Sequence, residues 1–243
     1  MVKLEIMGRG ESYELAPTKI IGIGLNYRDH IEESHSVKVR GFDREVPAEP
    51  VIFPMTPNAL VGPEEPIVIP SFLADYGFDE PRVDYEGELA FIVKDMCRNV
   101  RPEDALGHIL GFTCMNDVSQ RNLQTGDKGG WYRGKSLDTF APAGPRIVLT
   151  ADVGDPQSLD IRTRLNGKVV QESNTRHMIF SIGDLLAFLS RSFTMMPGDI
   201  VSTGTPSGVG PLRPGDTVEV EVERIGVLRN TVRAEAEPVG PAD

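Results

Sequence analysis

The stretch Val83-Asp84-Tyr85-Glu86-Gly87-Glu88-Leu89-Ala90-Phe91-Ile92-Val93 decides how this chain folds. Its β-branched and aromatic residues read as a strand, and strand side chains alternate between faces with period two. Glu86 and Glu88 then project from one face, which continues through Ala90 and Ile92. Leu89, Phe91 and Val93 line the opposite face, so the strand is expected to be buried on both sides. A second apolar run, residues 109–115, leads into Asn116-Asp117. Buried carboxylates are costly unless a positive charge neutralises them. Three oxygen ligands without Cys or His beside them suit Mg²⁺, Mn²⁺ or Ca²⁺ rather than zinc. Two other fates stay open on the pattern alone: glutamates solvated on an edge strand, or glutamates paired with arginines.

Outward from this run, most of the chain reads as short strands between Gly and Pro punctuation. Strands are expected over residues 19–23, 51–53, 67–69, 85–93, 109–115, 147–149, 160–165, 168–172, 200–202, 217–222 and 227–232. Asn166-Gly167 signals a tight hairpin, because a type I′ turn needs two residues with positive φ. Helices are few. Ser181 is placed to cap a run through Leu185, Leu186, Phe188 and Leu189, and residues 102–106 give one short turn. With no long linker or repeat, the expectation is one β-rich domain over residues 1–243. A strand or edge segment (1–18) comes first and a frayed tail (233–243) last.

The 243 residues are enough for a sizeable core, and 40% hydrophobic with 25% charged content is ordinary for a globular protein. A net charge of −11 argues against a partner with a phosphate backbone, so no nucleic acid is expected. No apolar run approaches the roughly 18 residues of a membrane span. The opening Met1-Val2-Lys3-Leu4-Glu5 lacks an apolar signal core, so a cytoplasmic location is expected. Cys97 and Cys114 show no metal spacing, and Cys114 reads as a small core residue. His35, His108 and His177 have no evident partners.

Several other segments carry chemistry-bearing residues. In a helical turn, His30 and Glu33 would share a face, and a carboxylate beside an imidazole raises its basicity toward water. An exposed helix with a chance His/Glu neighbour is the plain alternative. Gly22-Ile23-Gly24-Leu25-Asn26 lacks the third glycine of a dinucleotide fingerprint. Gly204-Thr205-Pro206-Ser207-Gly208 lacks the lysine of a P-loop, but its amides and the Thr205 hydroxyl could hold a carboxylate. Lys135, among small and aromatic residues, could offset an anionic substrate or a developing oxyanion; a surface lysine is the plain alternative.

In order along the chain, these pieces resemble the fumarylacetoacetate hydrolase family. The resemblance is carried by Ile20-Ile21-Gly22-Ile23-Gly24-Leu25-Asn26-Tyr27, His30-x-x-Glu33 and Asp84-Tyr85-Glu86-Gly87-Glu88-Leu89. It continues through Asn116-Asp117-Val118-Ser119, Gly134-Lys135-Ser136-Leu137-Asp138-Thr139-Phe140 and Gly198-Asp199-Ile200-Val201-Ser202-Thr203-Gly204-Thr205. It implies an α+β, mainly β fold of mixed β-roll or barrel type over residues 19–232, in a homodimer. It also implies Mg²⁺ or Mn²⁺ (Ca²⁺ in crystals) held by Glu86, Glu88 and Asp117, and a His30–Glu33 pair on a lid. Lys135, Gln120, Arg121 and Thr205 would face a small 2-oxo acid substrate. The leading expectation is hydrolysis of a C–C bond in a 2,4-dioxo acid by a His-activated water. Isomerisation of a hydroxydienedioate or decarboxylation of oxaloacetate is the alternative on the same site. A non-catalytic protein stapled by its metal is the reading from another class. Two departures stand out: the family often has Ser-Ala-Arg-Asp where this chain has Ser119-Gln120-Arg121-Asn122, and residues 72–82 are long.

Overall fold

The computed structural model describes residues 1–33, 46–126 and 131–236, with the side chains of residues 31–33 outside the description. Strands dominate, gathered into three open sheets. The largest is mixed. It runs in the order Glu11–Leu15, Val2–Ile6, Ala141–Leu149, Ile109–Asn116, Gly87–Val93, Ile200–Ser202, Ile20–Gly24 and Val51–Met55, with Leu60–Val61 beside Ala141–Leu149. A second sheet joins Lys168–Asn174, Asp160–Leu165, Thr217–Val222, Gly226–Ala234 and Ile67–Ile69. A small third sheet sets Val83–Tyr85 between Ser119–Gln120 and Gly210–Pro211.

Gly87–Val93 is central, paired antiparallel with both Ile109–Asn116 and Ile200–Ser202. All seven of its residues are buried, and its period-two pattern divides two cores. Leu89, Phe91 and Val93 pack with Ile161, Val220 and Leu228 of the second sheet and with Leu185, Leu186 and Leu189 of the helix Ile182–Ser192. Ala90 and Ile92 pack on the other side with Leu4, Ile20, Phe53, Met55 and Ile147. The expected single strand over 85–93 is interrupted at Glu86, where the chain passes from the small sheet into the large one.

Local signals act as the sequence leads one to expect. Ser181 and Asp184 form a reciprocal capping box at the start of Ile182–Ser192. Asn166 and Gly167 have φ of 52° and 79°, closing the hairpin between Asp160–Leu165 and Lys168–Asn174. The hairpin Val2–Ile6/Glu11–Leu15 lies in the segment expected as a strand or edge, and it extends the large sheet beside Ala141–Leu149. Asp199 joins the end of the chain to its beginning. Fully buried, it accepts hydrogen bonds from Thr18, from the Lys19 amide and from Met196, and forms an ion pair with the Lys19 ammonium. No helix among the described residues is long and apolar enough to cross a membrane.

Candidate metal centre and active site

Glu86, Glu88 and Asp117 converge, with a carboxylate oxygen from each within 4.8 Å of the others, and all three are buried. The topology explains the meeting. In the antiparallel ladder Gly87 lies opposite Asn116 and Glu88 opposite Met115, so Asp117 emerges beside Glu86. The Asp117 amide donates to the Glu86 carbonyl at 2.9 Å, and Asn116 Oδ1 accepts the Glu86 amide at 2.9 Å.

Each carboxylate is oriented by its own partners. Arg121 bridges Asp84 and Glu86, and its Nη1 donates to Gln124 Oε1 at 2.9 Å. Lys135, only 1% exposed, donates to Glu86 Oε2 at 2.7 Å and to Asp117 Oδ2 at 2.6 Å. Its ammonium also lies 4.9 Å from the centre of the Phe53 ring, a cation–π distance. Glu88 receives two neutral donors, the Ser202 hydroxyl at 2.6 Å and the Gly204 amide at 2.7 Å. The surface-lysine alternative for Lys135 and the solvated alternative for the glutamates are thereby set aside.

This electrostatic arrangement is unbalanced. Burial pushes the Glu86 carboxyl up, but Arg121, Lys135 and His30 outweigh it and hold it down at about 2. Burial and the neighbouring Asp117 and Glu86 charges drive Glu88 well above the carboxylate range. Burial also lifts Asp117 to about 7 despite Lys135. Asp117 Oδ1 is buried and has no hydrogen-bond partner. Two like-charged carboxyls raised together, beside an orphaned buried oxygen, are what a missing positive charge produces. A divalent ion with hard oxygen preference fits this donor set.

A cavity of about 10 Å³, the space of one water or ion, opens on Glu86 and Glu88. Ile23, His30, Phe53, Gln124, Trp131 and Thr205 are among the residues that wall it, together with Glu86, Glu88 and Lys135. The Gly22-Ile23-Gly24 run serves the wall by being small. A Cβ at Gly22 would lie 2.2 Å from the Phe53 ring, and one at Gly24 2.7 Å from the Trp131 indole. Asn26 fixes the chain beyond it, donating to Thr203 O at 2.8 Å and accepting the Phe180 amide at 2.8 Å. From there the helix Arg28–Glu33 carries His30, 7% exposed, into the cavity wall. The Glu33 side chain, like the whole of His35, lies outside the described residues.

Of the expected substrate contacts, Thr205 lines the cavity, whereas Gln120 and Arg121 do not. Gln120 is absent from the cavity wall: its Oε1 accepts the Leu123 amide at 2.7 Å and its Nε2 donates to Asn122 Oδ1 at 2.9 Å, tying down the start of the helix Arg121–Gly126. Gln124, one helical turn on from Arg121, takes the place at the cavity, and the i, i+3 spacing was the signal that could have found it. The Gly204-Thr205 loop does hold a carboxylate, but it is the protein's own Glu88. Thr205 Oγ1 donates to Gly87 O at 2.9 Å and accepts from Gln171 Nε2 at 2.9 Å. The long segment before the metal strand forms a short 3₁₀ helix, Ser71–Tyr76, whose Tyr76 stacks on Phe78 and accepts a hydrogen bond from Arg133 at 2.9 Å.

This acid-lined centre on a mixed β fold has clear counterparts. Residues 19–233 match the family described as Fumarylacetoacetate (FAA) hydrolase C-terminal, and the chain belongs to that family, whose members are enzymes. A mitochondrial oxaloacetate tautomerase of Xenopus laevis is 41% identical over 89% of this chain and 66% of its own length. The crystal structure of 5-carboxymethyl-2-hydroxymuconate delta-isomerase from Mycobacterium smegmatis is 39% identical, with a TM-score of 0.78 over 94% of this chain and 87% of that one. Fumarylpyruvate hydrolase from Pseudomonas aeruginosa, in complex with Mn²⁺ and pyruvate, is 28% identical with a TM-score of 0.82, covering 96% of each chain.

Proposed function

We propose that this protein is a divalent-metal-dependent enzyme that moves a proton next to the carbonyl of a small 2-oxo acid, as a tautomerase or isomerase. The observation that carries the reading is the buried trio Glu86, Glu88 and Asp117, left short of positive charge, with His30 in the cavity wall that Glu86 and Glu88 line. Proton transfer is favoured over hydrolysis because the tautomerase and the isomerase, at 41% and 39% identity, are more similar in sequence than the fumarylpyruvate hydrolase at 28%. Hydrolytic C–C cleavage of a 2,4-dioxo acid is the second reading, supported by the likeness to the hydrolase that holds Mn²⁺ and pyruvate.

Glu86, Glu88 and Asp117 would hold Mg²⁺ or Mn²⁺, which would supply Lewis acidity to the 2-oxo acid. Lys135 and Arg121 are positioning residues: they hold the Glu86 and Asp117 oxygens in place and keep the pocket from being wholly anionic. His30 takes the proton from C3 as the C–H electron pair forms the C2=C3 bond and the C2=O π pair moves onto the oxygen, and returns it to that oxygen or to a carbon further along the conjugated chain. Glu33 remains the carboxylate expected from the sequence to partner the imidazole. Gln124 and Thr205 sort the substrate by shape and polarity from the cavity wall. In the hydrolytic reading the same imidazole deprotonates a water instead. Cytoplasmic location and a homodimer complete the proposal.

The test is a substrate panel of oxaloacetate enol, hydroxydienedioates and acylpyruvates, followed by NMR in D₂O with Mg²⁺, with Mn²⁺ and after chelation. Metal-dependent keto–enol or double-bond conversion, lost by orders of magnitude in His30→Ala, is the expected result. Release of pyruvate from acylpyruvates without prior conversion would favour the hydrolase. Turnover that survives chelation would sink both readings.

A further inference from the structure

The structure brings Asp95, Cys97 and His108 together, and we propose that they form a second metal site suited to a borderline-soft divalent ion such as Zn²⁺. One donor atom from each lies within 4.8 Å of the others, and His108 Nδ1 is 2.6 Å from Asp95 Oδ1. A thiolate, an imidazole and a carboxylate are a zinc-type donor set, unlike the all-oxygen trio. Three protein ligands leave a fourth tetrahedral position to water.

The mounting of these donors is rigid. Cys97 exchanges two backbone hydrogen bonds of 3.0 Å with Met195, and the Lys94 amide donates to the His108 carbonyl at 2.8 Å. Asp95 and Cys97 follow the end of strand Gly87–Val93, and His108 immediately precedes strand Ile109–Asn116. The ion would therefore staple two adjacent strand ends, just beyond the register irregularity between Ile92 and Val93. The Asp95 and His108 side chains are 47% and 35% exposed, which provides an entry path, while Cys97 forms the buried floor at 6%. Glu88 and Val93 lie near opposite ends of one strand, about 16 Å apart at roughly 3.3 Å per residue, so the two sites are separate. On binding, Cys97 releases its thiol proton to solvent and no electron is transferred. A surface His–Asp ion pair beside an inert thiol is the competing account of the same geometry.

Titration of the whole reduced protein with Co²⁺ separates the two. The metal site predicts a thiolate-to-metal charge-transfer band that saturates with one ion and disappears in Cys97→Ser. His108→Gln should weaken the band-forming event at least tenfold. Cys114→Ser should retain the band, since Cys114 is fully enclosed in the core. Glu86→Gln should retain it as well, which makes this readout independent of the catalytic proposal. A titration without a band, or a band that survives Cys97→Ser, would overturn the second site.

Discussion

Lys135 is the residue on which the charge balance of the centre turns, because its ammonium touches two of the three carboxylates that need neutralising. Lys135→Met removes that charge from a fully enclosed position, and breaking a buried pair in this way costs about 3–5 kcal/mol. The metal-free variant should melt well below the wild type in thermal denaturation. Saturating Mn²⁺ should raise its melting temperature more than it raises that of the wild type, because the ion replaces the missing charge. Gln171 matters through geometry instead. Buried, it accepts the Gly87 amide at 3.0 Å and donates to Thr205 Oγ1 and Pro206 O, so it locks the backbone between the two glutamates to the Thr205 loop. Gln171→Leu should weaken Mn²⁺ binding, read by isothermal titration, by roughly ten- to a hundredfold, as loss of supporting hydrogen bonds around a ligand does. Protons also report on the trio. With Asp117 lifted to about 7 and Glu88 raised too, metal-free protein near neutrality carries protons that the ion must expel. Apparent metal affinity should therefore fall below pH 7, by about tenfold per pH unit for each proton displaced. For the metal-free protein the linkage runs the opposite way. A carboxyl whose folded pKa exceeds its unfolded value favours folding at low pH and loses that contribution as pH rises through about 7, so the Asp117 share of stability should grow from pH 8 to pH 5.

At the scale of elements, the strand Gly87–Val93 sets both the core and the site. Phe91 is wholly buried between the second sheet and the helix Ile182–Ser192, so Phe91→Ala should cost about 3–5 kcal/mol in denaturant unfolding. This strand was legible in the sequence because alternation alone assigns Leu89, Phe91 and Val93 to one core and Ala90 and Ile92 to the other. The break at Glu86 was not legible: it follows from a hydrogen bond to Asn116 and from pairing in the small sheet, both long-range. The N-terminal segment was expected as a strand or edge, but its second strand was not legible, for a related reason. Glu11–Leu15 buries only its last residue, so it shows little of the apolar pattern that announces a strand. Gln120 and Gln124 illustrate the limit on side chains. Both are buried amides near the metal strand, and only the start of the helix Arg121–Gly126 decides which caps and which faces the cavity. His108 and Cys97 looked partnerless because the residues between them hide that two neighbouring strand ends lie side by side.

At the scale of the whole molecule, the ends of the chain and its middle are held by different means. Asp199 ties the first strands to the last third through buried hydrogen bonds, whereas the second sheet is fastened to the large one by apolar packing across Gly87–Val93. The carboxylates that would be costly in such an interior are tolerated where strand ends and two short helices, Arg121–Gly126 and Tyr132–Lys135, bring Arg121, Lys135 and the acidic trio together. The family assignment follows from residues 19–233, and the proposed reaction on a 2-oxo acid rests on whether an ion joins that trio. Anomalous diffraction from crystals soaked in Mn²⁺ and pyruvate tests this most directly. The account predicts one strong peak coordinated by Glu86, Glu88 and Asp117 at roughly 2–2.6 Å, with the pyruvate carboxylate and 2-oxo oxygen completing its shell. A saturating soak in which Mn²⁺ binds elsewhere and the three carboxylates hold only Lys135 and Arg121 would contradict it.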